Sequence, residues 1–370
     1  MALARMARIG VVSDTLKLDS CSRFSVSRSR HVAYTSTGRL SAMFISRRCH
    51  PLSPNRNEVE RRQPSKPLLW LGCIATFGMF LVNFIGFLDT QTNSAEGCGP
   101  DWPLCNGQIL PSLNNSHVII EFLHRFLVGF FAIVAVVFAI WAWRRFGRWL
   151  EVRIFASIAL GFIVLQSILG ALAVVFVNPP SVLALHLGFG LLGLVGVALL
   201  TVFLFQYNAY VQSKPSGLTH RNQQLGRGLR QLIGWTWVYV FVAMYVGSDV
   251  AFHGAAAACK GWPLCNGLWF PGFSGNVGLV FLHRLIAIGL AVIVIVLLMQ
   301  LRKTRHSRPD VYRATVYLFV LVILQIASGA YVILSNISLN ADLLHVSLLM
   351  VLFTLLSYLV MQSFRFRSAR

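Results

Sequence analysis

The sequence predicts an all-α integral membrane protein, with eight transmembrane helices arranged as two parallel-repeat four-helix bundles. Three observations support this fold class. The chain of 370 residues is 56% hydrophobic and only 12% charged, a balance that is unusual for a soluble globular protein. It contains eight apolar runs, each close to the length of about 20 residues that crosses a bilayer as a helix. Its two halves also repeat one pattern of histidines.

The eight apolar runs are rich in Leu, Val and Ala, and they lack the two-residue alternation of transmembrane β-strands. In chain order the predicted spans cover residues 68–88, 117–142, 154–177, 181–206, 229–251, 276–301, 313–335 and 341–363. We divide the chain into an N-terminal extension (1–66), a first half (67–210), a linker (211–228) and a second half (229–370).

The net charge of +20 is better explained by a membrane than by nucleic acid, because the basic residues gather at alternate connections. The connections between spans 2 and 3, 4 and 5, and 6 and 7 are rich in Arg and Lys. The other connections carry Asp89, Glu96, Asp101 and Asp342 and few basic residues. By the positive-inside rule, both termini are expected on the cytoplasmic side.

Residues 1–66 are rich in Arg and Ser and poor in acidic residues. Such a segment is typical of a mitochondrial transit peptide. It is equally typical of a disordered basic tail, and a start codon assigned too far upstream would also produce it. No functional prediction depends on this extension.

An internal repeat organises the remainder of the chain. An offset of 159 residues relates the second half to the first at five positions, which pair His283 with His124, Arg284 with Arg125, Gln325 with Gln166, Gly329 with Gly170, and His345 with His186. The segments "GCGPDWPLCNGQILP" and "CKGWPLCNGLWFP" match at an offset of 160. Because each half has an even number of spans, the two halves enter the membrane in the same orientation.

The four histidines form two pairs of matched depth. His124 in span 2 and His186 in span 4 are both expected about 8–11 Å below the outer helix ends, at 1.5 Å per residue, and the same holds for His283 and His345. A single membrane histidine often only bonds to a neighbouring helix, but paired ionisable groups inside a bundle are typical of a cofactor site. Two neutral imidazoles suit a haem iron better than zinc, which takes three or four protein ligands.

Other polar residues accompany these histidines. Arg125 and Arg284 follow them directly and are candidates either to pair with haem propionates or to extend toward the outer interface. Glu121 lies three residues before His124 on the same helix face, whereas the corresponding position holds Val280. Since a carboxyl survives in one half only, we predict a reactive site in the first half and a structural or electron-relay haem in the second. The alternative is a Glu121 that only pairs with a neighbouring Arg.

Two cysteine pairs, Cys98 with Cys105 and Cys259 with Cys265, lie in connections expected on the oxidising side. Each pair is spaced to close a small ring over one four-helix half. Short rings of this kind are either structural or redox-labile, and the spacing does not decide between the two. The pairs are not c-type haem attachments, which require Cys-x-x-Cys-His.

Together these residues resemble the haem A synthase family, in its bacterial, cysteine-containing branch. The likeness rests on "EFLHR" in span 2, "FLHR" in span 6, one further His in spans 4 and 8, and "CGPDWPLCNG" in the first outer connection. It covers residues 68–365 and leaves the extension outside. Many members carry an "RLTGSG"-like run where this chain has "LDTQTNSAEG", so no role of that Arg is carried over.

The resemblance implies that haem O is oxidised at its C8 methyl group to a formyl group, by successive hydroxylations and loss of water, for cytochrome oxidase assembly. It implies a bis-His haem b iron on His283 and His345, and a substrate haem held by His124 and His186. It makes Glu121 essential, either for proton transfer or for stabilising a cationic intermediate. It also suggests a redox or haem-transfer role for Cys98 and Cys105.

The main alternative function is a bis-His di-haem cytochrome b that oxidises a quinol, and a repeat-built transporter is a weaker one. The cysteine-bearing connections favour a bacterial cell membrane, whereas the basic extension favours the mitochondrial inner membrane. The haem O-producing farnesyltransferase is a candidate partner, membrane lipid surrounds the chain, and a homo-oligomer is compatible with the sequence. The sequence does not name the electron donor.

Overall fold

The computed structural model describes residues 24–27, 48–51, 63–112, 114–221 and 223–364. It divides the chain into two units, Met1–Arg62 and Gln63–Arg370. In the first unit, strands β1 (Phe24–Ser27) and β2 (Arg48–Pro51) pair in antiparallel fashion, a feature outside the predicted helical fold. The interpretations of residues 1–66 fall almost entirely outside the described residues.

The second unit contains eight long helices, each apolar enough to cross a membrane, which confirms the predicted spans. They are α1 (Lys66–Gln91), α2 (Ser116–Phe146), α3 (Leu150–Val175), α4 (Pro180–Val211), α5 (Arg227–Phe252), α6 (Gly275–Arg302), α7 (Pro309–Leu334) and α8 (Leu339–Ser363). A short helical turn, Gly217–His220, lies between α4 and α5.

Local sequence signals explain several helix ends. Pro180 and Pro309 begin α4 and α7, at a position where the missing N–H of proline costs no hydrogen bond. Asn115 caps α2 by accepting a hydrogen bond from the backbone N–H of His117 at 2.9 Å. Beyond the ends of α1 and α7, Asn93 (φ 52°) and Asn336 (φ 54°) adopt the left-handed conformation that stops a helix.

Each set of four consecutive helices closes on itself. Helices adjacent in the chain pack together, and α1 also contacts α4 just as α5 contacts α8. The two sets meet where α4 contacts α5 and α8 and where α1 contacts α8. Helix α4 is central, because 78% of its most apolar window is buried, against 17–39% in the other helices. The rotation that would relate the two halves as parallel repeats stays a prediction.

A buried polar network joins the halves at the end with the basic connections. The guanidinium of Arg221, in the linker, donates to Oε1 of Glu151 on α3 at 2.7 Å and to Oε1 of Gln362 on α8 at 2.9 Å. Arg308 donates to the backbone carbonyl of Gln362 at 2.9 Å. One arginine therefore bridges a helix of the first half and a helix of the second.

Candidate functional site

At the opposite end of the bundle, two loops of the same design precede α2 and α6. In the first, Cys98 is disulfide-bonded to Cys105, and in the second Cys259 is bonded to Cys265. The asparagine that follows the second cysteine of each loop lies in the left-handed region. Its side-chain amide donates to a backbone carbonyl, Gly97 in the first loop at 3.1 Å and Ala258 in the second at 2.9 Å.

The arginine that follows each of the first histidines, Arg125 and Arg284, holds the loop above it. Arg125 donates from Nη1 to the carbonyl of Leu104 and from Nη2 to that of Gly99, the latter at 3.2 Å. Arg284 donates to the carbonyl of Leu264 at 3.2 Å and, among others, to that of Gly261 at 2.9 Å. Sequence reasoning considered propionate pairing or interfacial exposure. In the structure both side chains donate to loop carbonyls, and both expectations stay predictions.

Glu121 lies where α2 meets the first loop, and only 2% of its surface is exposed. Its Oε1 accepts a hydrogen bond from Arg125 at 2.5 Å, and its Oε2 accepts one from the backbone N–H of Cys98 at 2.6 Å. Both carboxyl oxygens are thus engaged by positively polarised donors. The counterpart Val280 lies in a small apolar cluster with Cys259 and Cys265. The two halves therefore differ beneath their loops, where the first has a carboxyl group and the second an apolar side chain.

The predicted histidine pairs lie within the two four-helix sets. His124 on α2 and His186 on α4 line one cavity, and His283 on α6 and His345 on α8 lie on two helices of the second set. Gln166 and Gln325 fix the second member of each pair: their side-chain amides donate to the backbone carbonyls of His186 at 2.7 Å and of His345 at 3.2 Å.

Glycines face the imidazole rings across the helix contacts. A Cβ atom added to Gly86 on α1 would lie 2.7 Å from Cε1 of His124, and one on Gly247 of α5 would lie 2.9 Å from Cε1 of His283. Real Cβ atoms do not approach that closely, so these positions need glycine for steric rather than conformational reasons. The same clearance therefore recurs in both halves.

The cavity of the first half lies between α1, α2, α3 and α4, and Phe252 of α5 also lines it. Its volume is about 90 Å³, below the range of roughly 300–1,000 Å³ typical of small-molecule sites. Its polar lining comes from six side chains, which are Asn83, Thr90, His124, Gln166, Ser167 and His186.

The donor set fits a haem iron with two axial imidazoles. Within the described residues, no group of three or more His, Cys, Asp or Glu side chains is placed to hold a metal ion. The Nδ1 atoms of His124, His186 and His283 are buried without a hydrogen-bond partner in the described chain. Half-buried imidazoles on two helices of one four-helix set, with glycine clearance beside them, are suitable axial ligands.

Sequence reasoning missed three polar residues near these sites. Asp89 was assigned to a connection, but α1 continues through it and buries it to 5% exposure, with Oδ1 unpartnered among the described residues. An acid adjoining an apolar run was the available signal. Asn83, which donates to the carbonyl of Met79 at 2.7 Å, lies in the first cavity. Ser328 lies 2.8 Å from Nδ1 of His345.

Comparison with known proteins agrees with this architecture. The family model described as "Cytochrome oxidase assembly protein" (COX15-CtaA) matches residues 68–357. A protein of Shouchella clausii described as "Heme A synthase" is 39% identical over 300 residues, which covers 80% of this chain and 97% of the relative. Relatives with the same description from Halalkalibacterium halodurans and Alkalihalophilus pseudofirmus are 36% and 34% identical, over 78% of this chain in both cases and 95% and 94% of their own lengths. The chain therefore belongs to the haem A synthase family of cytochrome oxidase assembly proteins.

Proposed function

We propose that this multi-pass membrane protein is a haem A synthase, an oxidoreductase that converts haem O to haem A for cytochrome oxidase assembly. The observation that carries the proposal is the family match along residues 68–357, which includes both histidine pairs and both cysteine loops. Imidazoles in two pairs are the ligands that two bis-His haems require. The bacterial relatives favour a bacterial cell membrane, with both termini on the cytoplasmic side by the positive-inside rule.

The two halves take different haems in this proposal. His124 and His186 hold the substrate haem O, and the asymmetry that supports this assignment is Glu121, since the second half has Val280 at the same position. His283 and His345 hold a resident haem b. When bound there, haem b supplies one-electron transfer to or from the substrate site.

Glu121 is the acid–base residue of the substrate half. Oxidation of the C8 methyl group to a formyl group releases protons, and a carboxylate three residues from His124 lies on the same helix face as the ligand. The hydrogen bonds from Arg125 and Cys98 hold both oxygens in place. So held, the carboxyl group of Glu121 serves either proton transfer or the stabilisation of a cationic intermediate at the substrate haem.

The first loop serves the substrate site by shielding it. The disulfide ring and the Arg125 contacts keep the loop over the outer end of α2, where they limit the access of water to the reaction centre. Arg284 gives the second loop the same support. Arg125 and Arg284 also face the haem propionates at the outer surface in this proposal, in addition to binding the loop carbonyls.

Co-expression tests the proposed function. The full chain is expressed in a bacterial host beside a haem O-producing farnesyltransferase, and the haems are extracted, separated and identified by mass. We expect haem A or its hydroxylated intermediate, lost in Glu121→Ala while haem b stays bound. Two haem b per chain, no haem A and indifference to Glu121 would instead establish the di-haem cytochrome b that transfers electrons from a quinol.

A further inference from the structure

The second half gives one of its histidines a hydrogen-bond partner that the first half lacks. Oγ of Ser328 on α7 lies 2.8 Å from Nδ1 of His345 and 2.9 Å from the backbone carbonyl oxygen of Gln325. Ser328 is 4% exposed, so no bulk water competes for these contacts. The serine thus joins the ring of His345 to the backbone of the neighbouring helix.

The direction of these two hydrogen bonds follows from the number of available hydrogens. A carbonyl oxygen only accepts, so the single hydroxyl hydrogen of Ser328 goes to Gln325, and its oxygen accepts from the ring. The hydrogen of the neutral His345 imidazole therefore belongs on Nδ1, and Nε2 carries the lone pair. That is the tautomer in which Nε2 coordinates a metal.

The neighbouring amide does not alter this assignment. Nε2 of Gln325 lies 3.2 Å and 3.3 Å from the two ring nitrogens of His345, and one donor cannot point along both lone-pair directions. The same amide donates to the backbone carbonyl of His345, just as the amide of Gln166 donates to the backbone carbonyl of His186 in the first half. The glutamines are therefore common to both halves, and the serine is the difference.

The first half has a leucine at the corresponding place. An offset of 159 pairs Ser328 with Leu169, which is 8% exposed and has no polar atom to offer. Nδ1 of His186 has no hydrogen-bond partner among the described residues. No hydrogen bond at Nδ1 among the described residues therefore sets the tautomer of that ring.

From this contrast we infer that Ser328 is a positioning residue that locks His345 for permanent haem b ligation, whereas Leu169 leaves His186 free to release its haem. The inference rests on the proposed function, in which the first site must exchange substrate for product. A bond from an outer partner to the distal ring nitrogen raises ligand basicity and typically changes metal affinity by about 10–100-fold. The second site thereby retains its haem through each turnover.

Haem transfer from the full chain to excess apomyoglobin tests this inference. We expect Ser328→Ala to lose haem b about 10–100-fold faster than the unaltered chain, with a changed ferric low-spin electron paramagnetic resonance spectrum and a raised midpoint potential. Ser328→Thr keeps the hydroxyl and should restore all three readouts. Ser347→Ala is the matched control, because Ser347 is on the same helix as His345 but donates only to the carbonyl of Leu343, at 2.6 Å.

A rate and spectrum unchanged in Ser328→Ala would overturn the inference. If Ser328→Ala does not accumulate, Leu169→Ser carries the test in a His345→Ala background loaded with ferric protohaem. We expect slower haem loss than from Leu169→Ala in the same background, and equal rates would overturn the inference. Failure of the proposed function gives a different result. In that case the unaltered chain would hold a haem that stays bound in the His345→Ala variant.

Discussion

Oε2 of Glu121 accepts a hydrogen bond from the backbone N–H of Cys98 at 2.6 Å, which ties the acid of the first half to the first cysteine of its loop. The second half has no such bond, because Val280 packs in an apolar cluster with Cys259 and Cys265. Loop and acid therefore form one unit in the first half only. Changes to Glu121 or to its loop should therefore lower catalysis, whereas changes to the corresponding residues of the second half should lower only stability.

Glu121→Gln tests the charge of Glu121 with little change in side-chain size. The single carbonyl oxygen of glutamine accepts from either Arg125 or Cys98, while its NH2 group faces the other donor, and the side chain carries no negative charge and cannot take a proton. We expect haem A formation to fall by about 10²–10⁴-fold, the usual contribution of a general acid or base, while haem b content stays at one per chain. Quantitative haem extraction from membranes measures both.

Val280→Ala is the matched control for the acid, and it should leave haem A formation close to that of the unaltered chain. Near-normal activity in Glu121→Gln would show that the carboxylate is only a support for the loop. Loss of haem b in the same variant would contradict the division between the halves.

The two disulfides should differ in function although they match in design. Replacing Cys98 and Cys105 by serine frees the loop whose backbone holds Glu121, so haem A formation should fall together with stability. Replacing Cys259 and Cys265 should lower stability alone. For rings of this size the chain-entropy estimate is about 2–3 kcal/mol for each disulfide.

Haem analysis and thermal unfolding of the detergent-solubilised protein measure the two effects. Equal loss of haem A formation in both double variants, at equal loss of stability, would mean that neither loop has a special link to the reaction.

The glycine clearances are testable with alanine. Gly247→Ala places a Cβ atom 2.9 Å from Cε1 of His283 and forces the ring to move, so haem b content should drop sharply. Gly234→Ala on the same helix meets nothing within 4 Å and should be neutral or slightly stabilising, by up to about 1 kcal/mol. An equal haem b content in both variants would show that the close approach of residue 247 to the ring of His283 does not affect haem b binding.

The polar network at the other end should govern stability without affecting the reaction. Arg221→Met leaves the buried carboxylate of Glu151 without its guanidinium partner, which costs about 3–5 kcal/mol when a buried pair is broken. Adding Glu151→Leu should recover most of this loss. Titration with SDS measures the free energy of unfolding, and additive losses in the double variant would rule out coupling between the two residues.

Sequence patterns were sufficient for the helices, for the pairing of cysteines and for the grouping of histidines in the first half. Those features follow from hydropathy and from short spacings, which are local properties of the chain. His124 and His186, for example, were expected at a common depth, and they line one cavity. The site roles of these residues stay predictions.

The contacts of the arginines could not be predicted in the same way. Arg125 and Arg284 bind backbone carbonyls of the preceding loops, and every residue type offers a carbonyl, so no side-chain pattern marks the acceptor. Ser328 was missed for a different reason: a serine in a membrane helix most often bonds to its own backbone, and only the three-dimensional contact with His345 distinguishes it.

The haem content of two single variants tests the central claim, that the halves carry different haems. The full chain is co-expressed with the haem O-producing enzyme, purified as His186→Ala and as His345→Ala, and its haems are extracted and counted. The account predicts that His186→Ala keeps one haem b per chain but forms no haem A, and that His345→Ala loses haem b. Loss of haem b in His186→Ala with retention in His345→Ala would contradict it.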